Sequence, residues 1–385
     1  MNKKIDENTI PFSKIFGKKP PYYIDREELI DAIVDDYYLD YGYLKVASIL
    51  CARGIGKTTL LKGVQEECLS EGNWVTVFAV NNDRLLLNIY SQLYENSRVY
   101  LDKYSDIIKN IKIALPGISF DINNDTGYES KNYEALIRSL TLELTRKDIN
   151  VLFIVDEVFP SKQLAGFITL FSEMFTATNN ICLLLGGLPD HLDEIINGKN
   201  TSFLARSQRF ILEPLNIQNI SEEYANIFKK YHKDIRQEHV HLLSEATFGN
   251  PYLFQSFGYN LFQLNKDTYN EDDIYYAIDR GKNDYFENVL SIMCKELTDI
   301  EKSFLDAMLD DVSTKVSVIK DKLDKTPTTI NTYKDRLILK GFIQQKTHGE
   351  VKFAMPYLTQ YLIIQQMRDA FELEVFNQAR ALLQE

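Results

Sequence analysis

The sequence predicts an α/β fold, a parallel sheet with flanking helices, followed by an all-α segment and a C-terminal winged helix-turn-helix. Three observations predict it. Short apolar, β-rich runs at 45–51, 74–80, 150–155, 181–185 and 208–212 alternate with stretches of helical spacing, as buried parallel strands joined by crossover helices do. Beyond about 216 the strand signal stops and four helical patterns follow one another. From about 297 the texture changes to three short helical patterns and a β-like pair around Thr347-His348-Gly349.

Each element has a local reason. After the first run, Leu60, Leu61, Val64 and Cys68 recur at three or four residues, so this helix has one buried stripe and Cys68 is a core residue. The insert at roughly 104–128 is less regular and reads as a small hairpin. Pro214 and Asn216 mark a boundary, and 218–230, 236–247, 251–264 and 271–288 read as helices, with Gly249-Asn250-Pro251 breaking the second from the third. In the last segment Phe304, Leu305 and Met308 give one helix its apolar face, and Val316, Ile319 and Leu323 the next. Thr326-Pro327 is an N-cap and first-turn pair for a third helix, buried through Ile330, Tyr333 and Leu337 and stopped by Gly341. Two short strands turning at His348-Gly349 then form the wing.

A chain of 385 residues fits two or three domains of roughly 100–200 residues each. With 45% apolar and 25% charged residues the composition is globular. The net charge of −12 argues against a protein that coats nucleic acid or anionic membrane with its whole surface. The longest apolar run, 181–188, is shorter than the roughly 18 residues a membrane span needs. The first residues carry charges and no apolar core, so no secretory signal is read there, and a cytoplasmic location is expected. Cys51, Cys68, Cys182 and Cys294 have no CxxC spacing and read as reduced thiols, and no HExxH is present, so metal chemistry built on Cys and His is not expected.

The chemistry is carried by CARGIGKTTL at 51–60, between the first strand and a helix. A phosphate chain needs backbone N–H donors converging on one point. Gly54 and Gly56 let the backbone approach, Arg53 and Ile55 share the loop, and the helix aims its positive end at the phosphates. Lys57 would reach the β- and γ-phosphates of ATP, and Thr58, followed by Thr59, would place its hydroxyl on Mg²⁺. The usual pattern is GxxxxGK[ST]; here Cys51 replaces the first glycine, which implies altered loop geometry rather than lost binding. The second half of the site is VLFIVDE at 151–157, an apolar strand ending in two carboxylates. Side chains alternate along a strand, so the two acids take different tasks: Asp156 would hold Mg²⁺ through water, and Glu157 would activate the attacking water.

With these motifs in order, residues 20–365 resemble the AAA+ P-loop ATPases, in the branch shared by archaeal-type P-loop ATPases and origin-recognition-type initiators and related to the STAND ATPases. The resemblance places Walker A on 51–58 and Walker B on 151–157. PPYYIDREELIDAI at 20–33 is similar to the segment that carries a GRE motif and cradles adenine, with Asp25 in place of glycine and Arg26 and Glu27 matching. LLLGGLP at 183–189 resembles the sensor 1 strand, although Gly186 and Gly187 offer no polar side chain. SFLARSQRFILEPL at 202–215 resembles the stretch carrying an arginine finger, with Arg206 and Arg209 both candidates. GNPYLFQ at 249–255 lacks the sensor 2 arginine and is similar to the proline-bearing lid segment of archaeal-type and STAND ATPases.

The resemblance implies a P-loop ATPase core at 1–215, a helical lid at 216–295, a winged helix-turn-helix at 296–365 and a C-terminal helix at 366–385. It implies an ATPase, ATP and Mg²⁺ as cofactors, and homo-oligomers if a finger acts in trans. A recognition helix would expose Thr328, Thr329, Asn331, Thr332 and Arg336 to duplex DNA, with Lys346, His348 and Lys352 on the wing. Residues 312–352 hold nine Lys/Arg and four Asp/Glu, whereas 267–311 hold four and thirteen, so the last module is basic within an acidic chain. Two functions follow: an ATPase whose nucleotide state controls a DNA-associated assembly, or a STAND-like switch acting on a protein partner.

Overall fold

The computed structural model describes residues 10–15, 20–22, 24, 26–39, 42–51, 54–100, 130–198, 202–311, 313–347 and 349–382. Arg53, Asp25, His348 and the proposed hairpin at 104–128 lie outside the described residues. The chain forms two compact units, one spanning 15–213 and the other made of 214–385 together with the N-terminal residues up to Lys14.

The first unit opens with α1 (Glu27–Tyr37) and then alternates strands with helices. In order these are β1 (Val46–Leu50), α2 (Lys57–Ser70), β2 (Trp74–Val80), α3 (Leu85–Ser97), α4 (Ser130–Arg146), β3 (Asn150–Val158), α5 (Lys162–Phe175), β4 (Ile181–Gly187), α6 (Pro189–Ile196), a 3₁₀ turn (Ser202–Arg206) and β5 (Gln208–Ile211). The five strands are parallel in the order β2-β3-β4-β1-β5, the parallel sheet with flanking helices that the apolar runs predict. Alternation divides its core. Val151, Phe153 and Val155 pack on one face with α3, α4 and α5, while Leu152 and Ile154 pack on the other with Ile33, Leu61 and Val64 of α1 and α2. Both faces are covered, which is why these strands read as continuous apolar runs. Along the edge strand β2, α3 meets the outward backbone groups: Gln92 accepts the Phe78 N–H at 3.0 Å and donates to its carbonyl at 2.7 Å, and Asn96 donates to the Thr76 carbonyl at 2.8 Å.

The second unit contains α7 (Ile217–Lys230), α8 (Gln237–Glu245), α9 (Pro251–Gln263) and α10 (Glu271–Tyr285), which runs through a π-helical turn (Phe286–Leu290) into α11 (Ser291–Lys295). Of these helices, α7, α9 and α10 start at side-chain caps, Asn216, Asn250 and Asn270. In addition to the predicted helices, β6 (Asp234–Ile235) and β7 (Thr268–Tyr269) form a short parallel ladder. Then come α12 (Asp299–Asp306), β8 (Thr314–Lys315), α13 (Val316–Leu323), α14 (Pro327–Leu339), β9 (Ile343–Thr347), β10 (Glu350–Phe353) and α15 (Leu358–Leu382). Thr326 caps α14 through its hydroxyl, and Gly341 follows it with φ +76°. The predicted strand pair is present, joined by β8 into an antiparallel sheet of order β8-β10-β9.

Candidate functional site

Lys57, Thr58 and Asp156 meet at the carboxyl ends of β1 and β3, with β4 lying between those strands. The loop after β1 places Gly54 (φ +83°) and Gly56 (φ +94°) in left-handed backbone that other residues rarely adopt. Gly56 precedes α2, and no side chain caps that helix and no acid stands in its first turn. Its positive end therefore faces the loop without internal compensation from an acid. Gly54 is exposed, and Ile55, Gly56, Lys57, Thr58 and Thr59 are half-buried around it.

The Lys57 ammonium pairs with Asp156 Oδ1, and the Thr58 hydroxyl donates to Asp156 Oδ2 at 2.5 Å. Asp156 Oδ1 also accepts the Glu157 N–H at 2.7 Å. A carboxylate only 2% exposed is thus compensated by one cation and two donors. Cys51, at the position of the usual first glycine, is buried, and burial pushes its thiol up to about 11 against the charge and backbone N–H of Lys57 and the charge of Arg26. It is a protonated packing residue. Arg26, before α1, donates through Nη2 to the Glu213 carbonyl at 2.8 Å and so ties the start of α1 to the end of β5.

Simple alternation does not describe the two acids. The β3–β4 register shifts between Val155 and Val158, and Glu157 has φ +54°. Val158 consequently returns to the same core face as Phe153 and Val155, and Glu157 is the inserted, exposed residue. A non-glycine residue in that conformation costs about 1 kcal/mol. The bulge turns Glu157 out of the strand while Asp156 stays buried beneath Lys57.

The glycines of β4 have a steric reason. A Cβ on Gly186 would stand 2.5 Å from Leu61 Cδ1, 2.8 Å from Asp156 Oδ1 and 3.3 Å from Lys57 Cδ. One on Gly187 would meet Val158 Cγ2 at 2.4 Å. The space for a polar side chain is taken by the Lys57–Asp156 pair and the bulge.

Two residues were not singled out by sequence reasoning. Asn81, 3% exposed, donates its N–H to the Asp156 carbonyl at 3.0 Å and its Nδ2 to the Phe159 carbonyl at 2.8 Å, and accepts from Ser161 Oγ at 3.1 Å. It clamps both ends of the bulge that carries Glu157. The His191 ring lies with Nδ1 3.1 Å from the Val158 carbonyl. The available signal was position: an Asn directly after an apolar strand, at the sheet edge where the other site residues gather.

Of the arginines, Arg209 on β5 pairs with Asp193 Oδ1 at 2.7 Å. Arg206, at the end of the 3₁₀ turn, is exposed and forms no ion pair with a described residue. In the second unit Thr328, Thr332, Arg336 and Lys346 are exposed and Thr329 is half-buried. Arg336 lies over the Tyr333 ring at 5.4 Å, and Lys346 bonds Ser313 Oγ at 3.0 Å.

The donor set suits Mg²⁺. Thr58 Oγ1 and the Asp156 carboxylate are hard oxygens side by side next to a phosphate-type loop, the chemistry by which this ion is held with nucleotide phosphates and water. Among the described residues, no helix is long and apolar enough to cross a membrane.

A family model described as "Domain of unknown function (DUF8462)" matches residues 287–362. No curated protein matches the chain. Among solved structures, the Aeropyrum pernix ORC2 protein in its ADPNP–ADP complexes is similar over 94% of this chain and 98% of its own, at 14% identity and a TM-score of 0.58. CDC6P from Pyrobaculum aerophilum aligns over 92% and 97% at 13% identity and a TM-score of 0.48. The Aeropyrum pernix ORC1 protein, in complex with DNA, aligns over 91% and 97% at 13% identity and 0.46. Likeness to the first of these over 94% of the chain, together with the five-stranded parallel sheet, shows that this chain shares the fold of that ORC2 protein.

Proposed function

We propose that the protein binds ATP and hydrolyses it in a Mg²⁺-dependent reaction, and that its nucleotide state controls a DNA-associated assembly. The observation that carries this reading is the convergence of Lys57 and Thr58 on Asp156, beside two left-handed glycines at an uncapped helix start. In this reading the backbone of the loop containing Arg53, Gly54, Ile55 and Gly56 cradles the phosphates, and Lys57 leaves Asp156 to neutralise the β- and γ-phosphate charge. Thr58 and Asp156 would hold Mg²⁺, which supplies charge neutralisation between the phosphate oxygens when bound. Glu157, exposed on its bulge, orients the attacking water and takes its proton. Arg26, close to the Cys51 end of the loop, borders the nucleotide. Arg206 is the better candidate for a finger acting on a neighbouring copy, because Arg209 is engaged by Asp193.

For the second unit we read 216–295 as the lid, 296–365 as a winged helix-turn-helix and 366–385 as a C-terminal helix. Exposure of Thr328, Thr332, Arg336 and Lys346 and the local excess of positive charge support DNA contact by α14 and the β9–β10 turn. That contact should weaken steeply with salt.

The test is ATP turnover measured with and without duplex DNA, together with mass determination in ATP. Stimulation by DNA and an ATP-dependent oligomer are expected. Slow turnover by a monomer indifferent to DNA overturns the reading in favour of a switch acting on a protein partner.

A further inference from the structure

The bulge that carries Glu157 is held at both ends by donors from elsewhere in the chain. Before it, the Asn81 N–H donates to the Asp156 carbonyl at 3.0 Å. After it, Nδ1 of His191 lies 3.1 Å from the Val158 carbonyl. A carbonyl oxygen only accepts, so Nδ1 carries a proton in this contact. Glu157 stands between the two held carbonyls, exposed and with φ +54°. A non-glycine residue keeps such a conformation only where its surroundings fix it.

His191 reaches the bulge from a fixed base. It is the third residue of α6, a helix that starts on Pro189 and buries Leu192 and Ile195 in the same core as Phe153, Val155 and Val158. Further along the helix, Asp193 pairs with Arg209 of β5 at 2.7 Å, which ties α6 to an edge strand of the sheet. The end of β4 is shaped around the same carbonyl. A Cβ on Gly187 would lie 3.1 Å from the Val158 oxygen and 2.4 Å from Val158 Cγ2. Gly187 therefore leaves room for Val158, and His191, on the helix that follows, supplies the donor. Gly186 and Gly187 bring no polar side chain to this end of β4, and the His191 ring is a polar group that the next helix brings to the bulge.

We propose that His191 is a positioning residue for Glu157: by holding the Val158 carbonyl it fixes the direction in which the bulge presents the Glu157 carboxylate. The proposal rests on the reading of Glu157 as the group that orients the attacking water. In that role a misplacement of about 1 Å costs on the order of 100-fold in rate. Lys57 and Thr58 are held by the Asp156 carboxylate and not through Val158, so loss of the His191 contact acts on turnover and spares nucleotide affinity.

The test compares the full chain with His191→Asn, His191→Gln and His191→Leu. Asparagine puts an amide N–H where Nδ1 stands, glutamine puts it where Nε2 stands, and leucine has no donor. Turnover at saturating Mg²⁺-ATP should fall roughly tenfold or more in His191→Gln and His191→Leu and stay within about threefold in His191→Asn. Affinity for a fluorescent ATP analogue should stay within about threefold in all of them. Without nucleotide, nitrogen-15 spectra of the histidine-labelled chain should show a ring protonated at Nδ1 whose signals are missing from His191→Asn. Equal turnover in His191→Asn and His191→Gln overturns the proposal, and this pair decides even where His191→Leu fails to fold. Affinity lost in step with turnover overturns it as well, and so does a bare lone pair on His191 Nδ1. An unaltered chain with no turnover, or with turnover that Glu157→Gln leaves unchanged, overturns the underlying reading and the proposal with it, while the ring signature still reports the contact.

Discussion

The Thr58 hydroxyl and the Asp156 carboxylate lie 2.5 Å apart although 98 residues separate them in the chain. With the Lys57 ammonium on the other oxygen, the side chains that would bind phosphate and metal satisfy one another. In the proposed reaction, nucleotide binding would exchange these partners.

Lys57→Ala removes the ammonium from both its present and its proposed partner. Nucleotide affinity, followed with a fluorescent ATP analogue, should fall at least 100-fold while the circular dichroism spectrum is kept. Wild-type affinity in this variant would mean that the phosphates bind elsewhere.

Glu157→Gln keeps the size of an exposed side chain and removes its basicity. ATP binding should persist and turnover should fall by roughly 100-fold, the scale of a lost general base. Unchanged turnover would remove Glu157 from the reaction.

Gly186→Ala introduces a methyl group 2.5 Å from Leu61 and 2.8 Å from Asp156. Overpacking of this kind costs about 1–3 kcal/mol, and here it also displaces the Asp156 carboxylate. Urea unfolding should show the loss, and nucleotide affinity should fall with it. Full stability with unaltered affinity would contradict the packing described for β4.

Asn81→Ala leaves the Phe159 carbonyl without its donor and frees the segment after the bulge. The stability loss should be about 1–3 kcal/mol. Steady-state kinetics should show turnover reduced more than nucleotide affinity, because Asn81 holds the backbone around Glu157 and not the loop around Lys57. An equal loss in both would assign Asn81 a purely structural part.

Glu301, 1% exposed, accepts the Thr298 N–H at 2.8 Å and its hydroxyl at 3.0 Å, and both carboxylate oxygens accept Lys340 Nζ at 2.8 Å. Burial raises its pKa, but the bonds from Lys340 and Thr298 outweigh that and leave it below the ordinary glutamate value. A depressed folded pKa gives stability that is complete above the unfolded value of about 4.3 and is lost as pH falls through the lower folded value. Melting of the unaltered protein should therefore drop in that acid window. Glu301→Gln should cost about 2 kcal/mol at pH 7 and flatten the drop, and an unaltered pH profile would exclude this carboxylate as its source.

The sequence by itself determined the strands of the parallel sheet, because burial on both faces demands continuous apolar runs. It determined the starts of α7, α9 and α14, because the caps Asn216, Asn250 and Thr326 act on the N–H groups two and three residues away. It also singled out Lys57, Thr58 and Asp156, which the structure brings together. What it could not contain in local form was decided by tertiary structure. The order β2-β3-β4-β1-β5 puts β4 between the two halves of the site, and only then do Gly186 and Gly187 acquire a steric reason. The two-residue β8 is a strand only through its pairing with β10. The bulge at Glu157 and its contacts to Asn81 and His191 join residues distant in sequence. Periodicity and capping act over a few residues. Register, close approach and the bracing of a bulge depend on which distant surfaces the folded chain brings together.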